Sequence, residues 1–198
     1  MRVALVLLFA VVLAACESEP DARPADSRPP GSAPLVGCGQ RAEGPPGVPE
    51  VSAGRDWVAG PVVLFAFRDY ARLARKRPER VARNYERGWG AVKILAGVRA
   101  GSDVRVEVAP ASRDLTALVY STPRDPRNAV DRLHEGRRAI VFRPCPEDHP
   151  RWDDRGTVGD RTDFAGGFLV AKAGCLRLLV TAGAGPARRY ELPYGRSC

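Results

Sequence analysis

Nucleophiles, imidazoles and carboxylates are all present in this 198-residue chain, yet none stands at the spacing a known reaction requires. The two histidines, His134 and His149, match neither HExxH nor a Cys/His zinc spacing and read as surface residues. Ser52, Ser102, Ser112, Ser121 and Ser197 lie outside GxSxG and SxxK, so a hydrolase reading has no anchor. Glu147, Asp148, Asp153, Asp154, Asp160 and Asp163 crowd the connection from Cys145 to Gly167 and offer the oxygen donors that calcium takes. Arg151, Arg155 and Arg161 interleave with them and the EF-hand ligand order is absent, so carboxylate–arginine pairing is expected there and no metal is assigned. No cofactor motif is present, and enzymatic readings, a calcium-dependent envelope hydrolase among them, rank below a binding role.

Charge is the remaining chemical signal. The chain carries a net +8, with 28 Arg against 3 Lys. Arg68 to Arg87 alone holds eight basic and three acidic residues, and Arg72, Arg75, Arg83 and Arg87 are the anion-binding candidates. The competing reading is a solvated surface, because Arg and Ala in excess follow from a GC-rich coding sequence and the carboxylates are numerous enough to pair many arginines. Trp57, Trp89 and Trp152 could line a sugar-binding face, although tryptophans in a β domain are more often part of the core.

The five cysteines locate the protein. Arg2 followed by twelve apolar residues, Val3 to Ala14, is too short to span a bilayer and reads as a leader. It ends Leu13, Ala14, Ala15, Cys16, which resembles the lipobox of bacterial lipoproteins. The resemblance implies a signal peptide over 1–15, diacylglyceryl modification of Cys16 and attachment to the extracytoplasmic face of the plasma membrane, where nucleic acid is not an expected partner. Removing Cys16 leaves Cys38, Cys145, Cys175 and Cys198, an even number in a compartment where disulfides persist. Three pairings are open, and Cys145–Cys175 with Cys38–Cys198 is preferred. The first pair would join one strand's end to the next strand's start, and the second would tie the folded unit's two ends.

Residues 17 to about 50 hold eight Pro, five Gly and almost no large apolar side chain, so 16–50 reads as a tether and 51–198 as one domain. From Trp57 onward short apolar runs are separated by turn residues. Val104, Val106 and Val108 alternate with Arg105, Glu107 and Ala109, which predicts a strand with one wet face. Further runs lie at Pro61–Phe67, Ala91–Val98, Leu115–Tyr120, Arg138–Arg143, Gly167–Lys172, Cys175–Thr181 and Arg188–Leu192. Hairpins are expected through Ala100-Gly101-Ser102 and through Ala173-Gly174. Arg68 to Arg87 breaks the pattern, as two short helical turns split by Pro78 or as an irregular insertion. The expectation is an all-β, antiparallel sandwich, immunoglobulin-like or similar, of seven to eight strands with that insertion near 68–88.

Lys93–Val98, Gly101–Val108, Ala117–Tyr120, Val141–Cys145, Thr162, Phe164, Gly166–Val170 and Cys175 together resemble a pattern in uncharacterised secreted or lipid-anchored actinobacterial proteins, over roughly residues 57–198. The resemblance implies an exported all-β domain with a disulfide and transfers no activity. The expected role is a non-catalytic module that binds an anionic envelope polymer, lipid head groups or a partner protein. A structural accessory subunit of an envelope complex is the first alternative.

Overall fold

Alternating apolar residues build the strands as their spacing requires. In β6 (Val104–Val108) the three valines are at most 3% exposed while Arg105 and Glu107 reach solvent. The same period runs through β11 (Gly174–Ala182), where Leu176, Leu178 and Val180 are buried. Each such side chain contributes about 1.5–3 kcal/mol by leaving water. The computed structural model describes residues 33–43, 51–120 and 132–198, so the leader, Cys16 and most of the tether lie outside the described residues.

The protein is mostly β, with twelve strands in three sheets and two α-helices among the described residues. The five-stranded sheet runs β1 (Leu35–Val36), β8 (Ala139–Phe142), β6, β11, β12 (Arg188–Tyr194). A four-stranded sheet runs β2 (Trp57–Ala59), β3 (Val62–Leu64), β5 (Ala96–Arg99), β9 (Arg161–Phe164). The three-stranded sheet runs β4 (Ala91–Lys93), β10 (Gly167–Val170), β7 (Thr116–Val119). Every pairing is antiparallel except β1 with β8. Between β3 and β4 lie α1 (Phe67–Lys76), packed on β12, and α2 (Pro78–Glu86), packed on β10. The helical form of the expected insertion is therefore the one adopted. None of the helices among the described residues is long and apolar enough to cross a membrane.

One chain of aromatic contacts joins the sheets. Phe67 of α1 meets Phe168 of β10 at 6.1 Å between ring centroids, Phe168 meets Tyr120 at 6.1 Å, Tyr120 meets Phe142 of β8 at 5.3 Å, and Phe142 meets Phe164 of β9 at 5.1 Å. The first three contacts are edge-on, the arrangement the ring quadrupoles favour. The Tyr120 hydroxyl donates to the carbonyl of Ile94 at 2.7 Å, which satisfies the one polar atom in the series, and burial pushes its pKa up.

Several expectations are corrected. The run Ala91–Val98 is two strands in different sheets, because β4 joins β10 while β5 joins β3 and β9. No hairpin connects β5 to β6, whose partners are β8 and β11, and none connects β10 to β11. Turn residues mark both connections correctly, but each carries the chain from one sheet to another. The disulfides are Cys38–Cys145 and Cys175–Cys198, not the preferred pairing. β6 lies between β8 and β11, which keeps Cys145 away from Cys175. Cys38 instead follows β1 and Cys145 follows β8, and parallel pairing brings those two strand ends to the same side. Cys175 faces Pro193 across the β11–β12 hairpin, so Cys198 is only a few residues from it. β1, inside the stretch expected to be tether, completes an edge of the five-stranded sheet through its pairing with β8.

Candidate functional site

The chain enters α1 through a strained alanine. Ala66 has φ 57°, a left-handed conformation costing a non-glycine residue about 1–2 kcal/mol. Buried Asp56 holds it there: its carboxylate accepts the Ala66 N–H at 2.7 Å and the Ser52 N–H at 2.8 Å. Arg68 locks the same corner, donating from Nε to the Asp56 carbonyl at 2.8 Å and lying over the Trp57 ring at 4.4 Å. The expected sugar-facing role of Trp57 is thus not what its contacts provide. Trp89 and Trp152 are exposed.

From this corner α1 turns Phe67, Tyr70, Ala71 and Ala74 inward at helical spacing, and Gly195 lets it approach β12 closely. A Cβ at Gly195, where φ is +77°, would come within 3.1 Å of the Ala74 backbone. Pro78 opens α2 at the position where its missing N–H costs nothing, and Val81, Ala82 and Tyr85 face the protein. What remains outside is mostly cationic, with Glu79 and Glu86 the exposed acids of α2. Arg72, Arg75, Lys76, Arg77, Arg80, Arg83 and Arg87 are exposed on two consecutive helices.

Of the four expected anion ligands, the structure separates one from three. Arg72 pairs with Asp69 and donates to the Gly54 carbonyl at 2.9 Å, so its charge is already used. Arg55 also reaches Asp69, at 3.1 Å, and these hydrogen bonds, Arg55's first, hold the Asp69 carboxyl below its ordinary range. The side chains of Arg75, Arg83 and Arg87 have no hydrogen bond, ion pair or ring contact among the described residues, and neither do those of Lys76, Arg77 or Arg80, which the four-residue selection missed. Leu73, 62% exposed, and Trp89, 68% exposed, flank these charges.

Elsewhere many arginines are paired, although Arg99, Arg137, Arg188, Arg189 and Arg196 are exposed without a side-chain partner among the described residues. Arg143 grips Asp103 with two hydrogen bonds of 3.0 and 2.8 Å and lowers its pKa. Arg105 and Arg113 share Glu107, and Arg177 meets Glu191. In the acidic connection Asp153 accepts from the Arg155 N–H and from Arg151, and Asp163 accepts from Arg161 at 2.9 Å. Burial still leaves the Asp163 pKa raised, against the pull of Arg161. His134 is exposed, and His149 lies 3.4 Å from Nη1 of Arg41. Buried Arg41 also donates to Glu43 at 2.6 Å and to the Pro150 carbonyl at 3.2 Å and lies 4.5 Å from the centroid of the Trp152 ring. It fastens the segment after β1 to the acidic connection. Two groupings of three metal-ligating residue types occur among the described residues, Cys38–Cys145–His149 and Cys175–Glu191–Cys198, and in each both sulfurs are consumed by a disulfide. Ser112 is fully buried and structural, donating to the Cys175 carbonyl and accepting the Arg177 N–H.

Beneath α1 opens a cavity of about 620 Å³. Its walls include Phe65, Tyr70, Ile94, Leu95, Val119 and Phe168, with Ala66 and Lys93 contributing as well. No local sequence signal marks it, because its lining comes from four separate stretches of chain. Comparison with protein-family models, curated proteins and solved structures finds no match.

Proposed function

We propose that this protein is an extracytoplasmic lipoprotein, anchored through Cys16, whose α1–α2 face binds an anionic component of the cell envelope, phospholipid head groups first. The observation that carries the reading is the run of six exposed cations, Arg75, Lys76, Arg77, Arg80, Arg83 and Arg87, without partners among the described residues. Arg99, Arg188 and Arg189 on the strands are exposed and unpaired as well, but only α1 and α2 gather six such cations within thirteen consecutive residues among the described residues. Exposed Leu73 and Trp89 favour a lipid surface over a soluble polymer, since apolar and aromatic side chains beside basic ones suit the head-group region. The mechanism is recruitment: the Cys16 lipid supplies attachment and the basic face orients the domain on its target. The β layers are proposed to pack as a sandwich in the broad sense, a reading supported by the alternating burial of β6 and β11.

Co-sedimentation of the full chain carrying Cys16→Ser with phosphatidylglycerol vesicles and with phosphatidylcholine vesicles tests this. Binding to the anionic vesicles alone, weakening as salt rises from about 0.05 to about 0.5 M, is the expected result. Equal binding to both compositions, or none to either, refutes it.

A further inference from the structure

The cavity under α1 has a chemistry of its own. Its volume of about 620 Å³ falls within the range of roughly 300–1,000 Å³ typical of small-molecule sites. Phe65, Ile94, Leu95, Val119 and Phe168 make most of the wall apolar. Two side chains in the lining carry polar atoms, Tyr70 and Lys93, and neither has a hydrogen-bond or ion-pair partner among the described residues. Lys93 is exposed at the end of β4, an outer strand of its sheet. A ligand with several polar groups would leave most of them unpaired against this wall, at a cost for each. A flexible alkyl chain with one terminal negative charge suits it: methylenes against the apolar wall, an anion against the Lys93 ammonium.

We propose that this cavity binds a single linear acyl chain whose anionic head group is held by Lys93. The site is lined by β4, the β9–β10 connection, the end of β7 and the inner side of α1, and it does not depend on the reading of the basic outer face. Strained Ala66 stands in its wall, held by Asp56, so the wall at that point is fixed before any ligand arrives.

Calorimetric titration of the full chain carrying Cys16→Ser, which has no acyl chain of its own, with octanoate, decanoate and dodecanoate below their micellar concentrations tests the proposal. Saturable binding is expected, rising about fourfold for each added CH2. Lys93→Glu lowers dodecanoate affinity about tenfold and leaves dodecanol affinity unchanged. Ala91→Phe, which places a ring in the cavity, abolishes both. Lys93 is exposed, so its substitution gives a folded comparison even if Ala91→Phe does not fold. No saturable dodecanoate binding, an affinity independent of chain length, or equal loss of dodecanol and dodecanoate in Lys93→Glu overturns the proposal. Neutralising Arg80, Arg83 and Arg87 leaves dodecanoate binding intact, so failure here and failure of the vesicle experiment are separate results.

Discussion

Ala66 occupies a backbone conformation that glycine adopts freely, and the Asp56 carboxylate keeps it there. Ala66→Gly is therefore expected to raise stability by about 1 kcal/mol, measured by chemical denaturation. Asp56→Ala removes a charged acceptor from two backbone N–H groups and is expected to lower it by about 2–3 kcal/mol in the same assay. Acid acts on other carboxylates. Asp69 and Asp103, held low by their arginines, and Asp153, held low by the Arg155 N–H and Arg151, contribute stability above the ordinary carboxylate range and lose it as pH falls through their depressed values. Asp163, pushed up by burial, favours its protonated form and opposes that trend at one position. Tm is expected to fall from about pH 6 to about pH 3, and less steeply in Asp103→Asn, whose link to Arg143 no longer titrates. Alternation alone made the buried valines of β6 readable in the sequence. The strain at Ala66 was not, because an alanine before an apolar and basic run announces no left-handed turn.

Strands were legible where apolar runs are bounded by Gly, Pro or Ser, and the helices where Pro78 interrupts a helical spacing. Their partners were not, because pairing is decided by residues far apart in sequence. Gly167 illustrates this: a Cβ there would lie 1.9 Å from the Val92 carbonyl oxygen, so the glycine that opens the expected run Gly167–Lys172 is what seats β10 against β4. β1 escaped notice since only two residues within a proline-rich stretch form it, and its absence led to the wrong cysteine pairs. The observed pairs make a quantitative prediction. Cys38–Cys145 spans 107 residues and Cys175–Cys198 spans 23. By loop entropy their removal costs about 4.8 and about 3.4 kcal/mol respectively. Denaturation of the Cys38→Ser/Cys145→Ser and Cys175→Ser/Cys198→Ser variants should show the first as the less stable, and peptide mapping of the oxidised protein should recover these two links.

At the scale of the whole molecule the net charge of +8 is unevenly used. Over the sheets most carboxylates find an arginine, whereas from Arg75 to Arg87 α1 and α2 present six exposed cations that no carboxylate pairs among the described residues. Composition could establish the excess but not where it is left over, since that depends on which carboxylates the fold brings within reach. The cavity shows the same limit, its wall being assembled from residues about a hundred positions apart.

The central claim is that the helical face, and not the charge of the molecule at large, engages the anionic surface. The most direct test compares two triple variants of equal net charge on phosphatidylglycerol vesicles. One carries Arg80→Gln, Arg83→Gln and Arg87→Gln. The other carries Arg188→Gln, Arg189→Gln and Arg196→Gln, which are equally exposed but lie in and after β12. With each basic residue at a lipid surface contributing about 1 kcal/mol, the helix variant is predicted to bind about a hundredfold more weakly than the unsubstituted chain, and the β12 variant within about fivefold of it. Equal losses in the two variants would contradict the account and reduce the helical face to one part of a diffuse positive surface.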